Sequence, residues 1–500
     1  MPAATLPRRL SADQAVLLII AGGALIRIWL AAVTGLGFDE SYMVGNARQF
    51  LAGYVDHPPL HVWIVWAATH LTGSEAPIVV RLPFILMFAG STWLMYRLAA
   101  RLFGESAGLW AVIAFNLAPV FSLADATWVL PDGPLIFFLL AAANVVARIL
   151  FEEPADNRAT LLWIAAGALG GLALLSKFTA AFFFLAVFVY LVTVPPARRR
   201  LATAGPWLGV LTALVVLSPA FIWNAANGFA GIAFQSGRMA DPHFRLDRLA
   251  LEIGGGLLYL MPLLAVPFAI SLFSAFRRGR GDWRSWYLAL AAIGPIVTFI
   301  LAALFARTLP HWSMPGWLFA IPLFGRDAAR LAILRPRFAR GYMAAVAVIV
   351  ALLLGAFALQ ATRGALLPSA IVAANPASDP TTDLIDWSPL ADRLTEAGMI
   401  GPDLVVAAPV WFAAGKVSYA LGPDVPVLCI CGSPQQFAYR TDQARYAGRD
   451  VVVVIPNRRY EDDVVRYFDR LERLPPVVLT RGGETVLTLE LRLGRNLQFP

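Results

Sequence analysis

A succession of long apolar stretches constrains this chain more than any other feature of its sequence. A helix needs about 20 mainly apolar residues to cross a bilayer, and about eleven stretches are candidate spans, of which the one at residues 316–325 is short. They cover residues 15–33, 81–101, 106–123, 133–150, 160–175, 178–194, 205–222, 251–273, 286–305, 316–325 and 341–361. Charged residues make up only 14% of the chain, against about 25% in typical soluble proteins. We therefore predict a mainly α-helical, polytopic transmembrane bundle, which excludes a cytosolic enzyme, a disordered chain and a disulfide scaffold.

The loop charges predict how these spans are oriented. Arginines gather in the loops at residues 8–9, 198–200, 277–284 and 326–340. Because cytoplasmic loops carry an excess of Lys and Arg, we predict that these loops are cytoplasmic. The net charge of +8 then reflects membrane orientation, and no nucleic acid is expected as a partner. The loops that face outward are those at residues 38–60, 124–134, 176–179, 224–248 and 307–316.

The last part of the chain has a different pattern. Short β-branched runs alternate there with Asn, Asp, Gly and Pro, as they do between strands. The runs lie at residues 404–410, 425–430, 451–455, 477–479 and 485–491, with amphipathic stretches at 389–397 and 460–474. We predict a transmembrane catalytic domain over residues 1–362 and a periplasmic soluble α/β domain over residues 363–500. The preference for arginine over lysine fits a protein of the bacterial inner membrane, where membrane lipids surround its spans.

The role of this tail is left open by the sequence. Three roles are compatible with the sequence: binding of the acceptor, covering of the site, or contact with a partner protein. Cys429 and Cys431, on one face of a predicted strand, are interpreted as packing residues and not as a redox pair. Four residues of the tail are candidates for contact with another molecule, namely Trp411, Phe412, Lys416 and Tyr419. For all four, packing in the domain core is the favoured interpretation.

Acidic residues mark the first two outward loops. Asp39 and Glu40 follow the first span, His57 lies shortly after them, and Asp132 precedes another span. Charges beside a membrane span are costly unless they pair or function, so we predict that carboxylates from both loops meet at one outer cavity. One would deprotonate an acceptor, and another would hold a metal or orient a group. The alternatives are a solvated helix start for Asp39 and Glu40, an N-cap for Asp132 and a turn residue for His57.

Basic and aromatic residues occupy the other outward loops. Lys177, one of two lysines in the chain, and His311 are candidate phosphate-binding residues. The alternatives are that Lys177 only extends its ammonium group to the membrane interface and that His311 only caps a loop. Rings stack on sugars and guanidinium groups match phosphate, so a sugar-phosphate site is predicted between residues 218 and 248; the alternative is an interfacial aromatic belt. The residues in question are Trp223, Asn224, Gln235 and Arg238.

The sequence has no phosphate-cradling P-loop, dinucleotide fingerprint, zinc-protease histidine pair or cysteine metal cluster. A nucleotide-driven pump is therefore not expected. An enzyme on the outer face has no supply of cytosolic nucleotide sugars, so it would need an activated donor carried in the bilayer.

These motifs together resemble those of a known family. The chain is similar to the polyprenyl-phosphate-sugar-dependent glycosyltransferases of the GT-C superfamily, in the bacterial branch that includes relatives of protein O-mannosyltransferases and lipid A aminoarabinose transferases. The resemblance covers about residues 10–320. It is carried by Asp39-Glu40, His57-Pro58-Pro59-Leu60, Arg81-Leu82-Pro83, Leu130-Pro131-Asp132, the Lys177 loop, and the stretch from Ile222-Trp223-Asn224 to Phe234-Gln235.

The resemblance implies a GT-C fold and an inverting transfer of one sugar from a polyprenyl-phosphate donor to an outer-face acceptor. Asp39 would be the general base, and Glu40 and Asp132 would match the family's other acids. Lys177 would neutralise the departing phosphate. His57 stands where aminoarabinose transferases have a lysine, which leaves its role in metal or phosphate binding open. Tyr42 and Arg81 are further expected substrate contacts.

Three matters stay open at this point. The acceptor is a lipid or a protein, and a divalent metal ion, held by residues such as Glu40, Asp132 and His57, is neither required nor excluded. The alternative functions are a lipid or sugar transporter, which would be built from inverted repeats and broken helices, and a non-catalytic envelope scaffold.

Overall fold

The computed structural model describes residues 10–237 and 243–499. The apolar stretches predicted from the sequence are helices, because in a lipid environment a helix satisfies its own backbone hydrogen bonds. Up to residue 363 the longer helices are Ala12–Val33, Phe38–Ala47, Leu60–Thr72, Pro77–Phe103, Glu105–Leu117, Asp132–Phe151, Asp156–Ser176, Ala181–Thr193, Ala204–Ala226, Ala230–Gly237, Leu246–Leu260, Pro262–Arg278, Trp283–Ala302, Met314–Leu334 and Pro336–Arg363. The mainly α-helical class is confirmed.

The number of membrane spans stays a prediction. Within the described residues, seven helices are long and apolar enough to cross a membrane, and three bent pairs bring the number to ten if each pair is one span. The predicted span over residues 251–273 is one of these pairs, bent by 104° between Leu260 and Pro262. Met261 has a φ of 69°, and Pro262 lacks the N–H that would continue the first helix.

The chain forms two compact units. The first contains the N-terminal residues up to Arg27, Phe84–Thr127 and Pro131–Val350. The second contains Ile28–Pro83, Trp128–Leu130 and Ala351–Pro500. The segment that carries Asp39 and Glu40 therefore belongs to the same unit as the tail. A boundary at residue 362 between a membrane domain and a periplasmic domain stays a prediction.

The tail contains a five-stranded mixed sheet. Its strands are β1 (Val406–Ala408), β2 (Val427–Cys429), β3 (Val451–Ile455), β4 (Arg470–Arg481) and β5 (Glu484–Arg495), in the order β2-β1-β3-β5-β4. β1 pairs in parallel with β2 and β3, with Val406 opposite Val427 and Val452, while β5 is antiparallel to β3 and β4. The three parallel strands are fully buried, as expected where both faces of a sheet are covered. The predicted α/β character is confirmed.

In the part of the tail that the structure describes, five α-helices of four or more residues accompany this sheet. They are Ser369–Ala374, Pro389–Glu396, Trp411–Leu421, Phe437–Arg440 and Glu461–Val465. Trp411–Leu421, called here the lysine helix because it carries Lys416, is the crossover between β1 and β2. It packs against this sheet and also against Phe38–Ala47, called here the aspartate helix because it carries Asp39.

Two expectations about the tail are corrected. Residues 470–474, predicted as the end of an amphipathic stretch, belong to β4, because they pair with the end of β5. The following prolines, Pro475 and Pro476, are tolerated since β4 is an edge strand with a register shift at that place. Cys429 and Cys431 form a disulfide with their Cα atoms 5.6 Å apart, because side chains two positions apart on an extended chain point the same way.

Candidate active site

Asp39 and Glu40 lie side by side in the first turn of the aspartate helix but have different surroundings. Asp39 is exposed, whereas Glu40 is 2% exposed. A carboxylate in the first turn is stabilised by the helix dipole. Glu40 reaches back to the start of the helix, where its Oε2 accepts a hydrogen bond of 2.8 Å from the Gly37 N–H. Of the two predicted carboxylates, Asp39 is therefore the one that faces solvent.

Arg81 fixes the position of Glu40. Its guanidinium group donates two hydrogen bonds to the carboxylate, of 2.8 Å and 2.5 Å, and the Val129 N–H donates a third of 3.2 Å. Arg81 also binds the carbonyls of Thr34 and Gly35, at 3.1 Å and 2.7 Å, and it is fully buried. Because breaking a buried ion pair leaves an uncompensated charge, this pair holds the loop before Asp39 firmly.

Tyr42 and His57 lie further along the same unit. Tyr42 is 1% exposed, and its hydroxyl oxygen accepts a hydrogen bond of 2.9 Å from the Gln436 N–H. Burial and the nearby negative charge of Asp56 raise the pKa of Tyr42 well above its usual value. The half-buried His57 lies 5.7 Å from the ring of His61, in an edge-to-face arrangement. Substrate contacts by Tyr42 and His57 stay predictions.

Asp132 and Lys177 form an ion pair in the first unit. Asp132 begins its helix, and Lys177 follows the end of Asp156–Ser176 in an extended conformation. Its Nζ lies 2.9 Å and 3.1 Å from the two carboxylate oxygens of Asp132, and both side chains are largely buried. The structure thus brings a predicted acid and a predicted phosphate-binding residue together.

Asp125 joins this pair and was missed by the sequence reasoning. It is 5% exposed and interacts electrostatically with both Asp132 and Lys177. It directly follows a wide π-helical turn, Val120–Ala124, a conformation that is frequent at functional sites. The available signal was its position, since Asp125 and Asp132 share one predicted outward loop.

The remaining predicted residues of the first unit are spread over three segments. The Asn224 amide accepts hydrogen bonds of 3.0 Å and 3.3 Å from the N–H groups of Gly231 and Ile232, so it shapes the turn after its own helix. Trp223 is 9% exposed, and Gln235 is half-buried on Ala230–Gly237. His311 is half-buried, 6.3 Å from the ring of Tyr259. Arg238 lies outside the described residues.

The residues present do not fit a divalent metal ion. Both oxygens of Glu40 already accept hydrogen bonds from Arg81. Asp132 accepts two from Lys177 and belongs to the other unit. Across residues 10–237 and 243–499, no three His, Cys, Asp or Glu side chains gather closely enough to hold a metal ion.

Lys416 is buried, as the favoured interpretation of packing in the tail core expected, but its hydrogen-bond partners were not predicted. It is 2% exposed, and its Nζ donates hydrogen bonds to the carbonyl of Leu36 and, at 2.8 Å, to that of Ile385. Burial lowers the pKa of Lys416 to about 7, although the negative charge of Glu40 acts in the opposite direction. The signal in the sequence for a special role was that Lys416 is one of two lysines in the chain.

The resemblance to GT-C glycosyltransferases is confirmed by comparison with known proteins. The dolichyl-phosphate-mannose-protein mannosyltransferase family matches residues 56–223. That range includes His57, Arg81, Asp132, Lys177 and Trp223, and it leaves Asp39 outside.

Two curated relatives and one solved fold extend this comparison. The chain is 24% identical over 310 residues to the lipid A galacturonosyltransferase RgtD of Rhizobium johnstonii, covering 60% of this chain. It is 23% identical over 325 residues to the lipopolysaccharide core galacturonosyltransferase RgtA of the same organism, covering 61% of this chain. The chain spans 63% of the length of each of these relatives.

The fold is that of ArnT from Cupriavidus metallidurans. The apo structure of ArnT matches with a TM-score of 0.64 and 16% identity, over 96% of this chain and 98% of that one. A second structure of ArnT, bound to undecaprenyl phosphate, matches with a TM-score of 0.63 and 17% identity over the same shares. At these identities the likeness establishes the fold alone.

Proposed function

We propose that this chain is a membrane glycosyltransferase that moves one sugar from a polyprenyl-phosphate donor to an acceptor hydroxyl. The acceptor oxygen attacks the anomeric carbon while Asp39 takes the hydroxyl proton. The bond between that carbon and the phosphate oxygen breaks, and the phosphate leaves with the electron pair. A single displacement of this kind inverts the anomeric configuration.

The observation that carries this proposal is the contrast between the two neighbouring carboxylates. Glu40 is buried and held by Arg81, whereas Asp39 is exposed one position earlier in the same helical turn. A general base must reach the proton that it removes, and it must be held in place while it does so. Asp39 meets the first condition, and the fixed position of Glu40 and its helix meets the second.

The pair of Asp132 and Lys177 is suited to the leaving group. A departing lipid phosphate carries negative charge, and a preorganised ammonium stabilises that charge most in a site shielded from water. Lys177 is largely buried and already oriented by Asp132. We assign donor-phosphate binding to Lys177 and its orientation to Asp132, with Asp125 as a further acid beside them.

The curated relatives favour a lipid acceptor. RgtD and RgtA are described as acting on lipid A and on the lipopolysaccharide core. We therefore propose lipopolysaccharide as the acceptor and galacturonic acid as the first sugar to test, carried on undecaprenyl phosphate.

We place the reaction on the periplasmic face of the inner membrane, with residues 363–500 outside the bilayer. The loop charges support this orientation. Alkaline phosphatase fused after the last residue is expected to be active, because it folds to an active form only in the periplasm. Activity of a cytoplasmic reporter at the same position would reverse the proposed sidedness.

Mass spectrometry of envelope lipids tests the function directly. Lipid A, core oligosaccharide and envelope proteins are compared between a host that lacks the chain, the same host with the wild-type chain, and the host with Asp39→Ala. We expect one sugar mass on lipid A or core with the wild-type chain alone. The same mass on a protein would move the acceptor assignment, and identical spectra from all three strains, with both proteins inserted at equal levels, would contradict the glycosyltransferase proposal.

A further inference from the structure

The lysine helix and the aspartate helix touch along their backbones. Gly415 has no space for a side chain, since a Cβ placed there would lie 2.9 Å from the Cβ and 3.1 Å from the backbone N of Tyr42. The ring of Phe38 lies 4.8 Å from that of Phe412, and the ring of Tyr42 lies 5.2 Å from that of Trp411. A helix of the tail therefore packs directly against the helix that carries the proposed base.

Lys416 extends from this contact toward the loop that leads into Asp39. Its Nζ binds the carbonyl of Leu36, three positions before Asp39, and lies 5.7 Å from the ring centre of Phe38. The nearby charged groups are of both signs: Glu40, Asp383 and Asp386 attract the ammonium and Arg81 repels it. A basic side chain in a protein interior is strongly unfavourable unless it is paired and hydrogen-bonded, so these partners are needed to keep Lys416 in place.

The loop before Asp39 is thus held from two directions. Arg81 binds Thr34, Gly35 and Glu40, and Lys416 binds Leu36. Gly35 itself lies against the tail, because a Cβ there would come within 2.5 Å of the Leu384 carbonyl oxygen. The first turn of the aspartate helix consequently depends on the hydrogen bonds of both basic side chains for its position.

We propose that Lys416 is a positioning residue for sugar transfer, which holds the Leu36–Phe38 loop so that Asp39 presents its carboxylate to the acceptor. This inference rests on the proposed role of Asp39 as the base. It gives the tail a function that its sequence left open, since the tail then completes the catalytic loop. Lys416 does not touch substrate in this proposal, and it acts only through the loop.

Replacing Lys416 by methionine tests the inference in the full-length protein. A reactive group displaced by about 1 Å can lose about 10²-fold in rate. We expect Lys416→Met to lower kcat by about 10- to 100-fold, with the KM for undecaprenyl-phosphate galacturonic acid nearly unchanged. Hydrogen–deuterium exchange followed by mass spectrometry should show faster exchange in peptides covering residues 34–41, with or without donor.

Arg492→Met is the matched control. Arg492 is another buried cation of the tail, 4% exposed and bonded to Glu461 and Glu490, and it lies on β5. We expect this variant to leave both kcat and the exchange of residues 34–41 as in the wild type. If Arg492→Met changes both as much as Lys416→Met does, the effect is general loss of tail stability and the inference is overturned.

Further variants keep the test decisive. If Lys416→Met does not accumulate, Lys416→Gln removes the charge and keeps a polar group, and the same split between kcat and KM is expected. Wild-type kcat in either variant overturns the inference. Asp39→Asn in the same assay separates the two proposals: full activity there removes the base assignment, whereas an inactive Asp39→Asn beside a fully active Lys416→Met removes only the positioning role.

Discussion

Replacing Asp39 by asparagine is expected to lower kcat by about 10²–10⁴-fold, the usual contribution of general-base catalysis. Asparagine has nearly the same shape but cannot accept the acceptor proton. Because Asp39 is exposed in the first turn of its helix, the change should leave folding and membrane insertion intact. Single-turnover transfer from undecaprenyl-phosphate galacturonic acid to lipid A measures the chemical step.

Asp392→Asn is the control for this experiment. Asp392 is also an exposed aspartate in the first turn of a helix, Pro389–Glu396, but it lies on the tail. It should retain wild-type turnover. Wild-type turnover in Asp39→Asn would remove Asp39 from the mechanism and would require another base.

Lys177→Met is expected to have the second large effect. Loss of one preorganised donor to a developing negative charge typically costs about 10²–10³-fold in rate. The transfer rate with saturating acceptor should fall by that amount, and binding of undecaprenyl phosphate should weaken, because the same ammonium contacts the phosphate in both states. Lys177→Arg, which keeps the charge, should recover part of both.

Arg158→Met controls for loss of a positive charge at the other end of the helix that leads to Lys177. Arg158 is exposed in the first turn of Asp156–Ser176, the helix that ends just before Lys177. It should not change donor binding. If Lys177→Met destabilises the protein but leaves undecaprenyl phosphate binding unchanged, the ion pair with Asp132 is structural and the assignment of Lys177 fails.

Local patterns in the sequence predicted much of the fold. Apolar stretches of about 20 residues become helices whatever their neighbours are, because the bilayer leaves the backbone no other partner. The buried strand Val451–Ile455 was equally readable, since five consecutive β-branched residues favour a strand covered on both faces. The sequence failed where pairing decided the outcome, as in residues 470–474, which are strand only because β5 lies beside them.

The candidate site was predictable as a set of residues and not as a set of contacts. Asp39 and Asp132 stood out because charges are rare next to apolar spans. Glu40 is bound by Arg81, 41 positions away in the chain, and Asp132 by Lys177, 45 positions away. Lys416 is more distant still, 380 positions from Leu36, and no local pattern reports a partner so far away.

The missing side chain at Gly415 has a consequence for protein engineering. Chimaeras that exchange the tails of two such proteins would bring a foreign lysine helix against a resident aspartate helix, at a surface with no room for a single extra methyl group. Such exchanges should work only when both segments come from the same parent. The unit that must be exchanged together is therefore discontinuous in sequence. Crossover points for recombination should be chosen to transfer residues 34–47 together with residues 411–421.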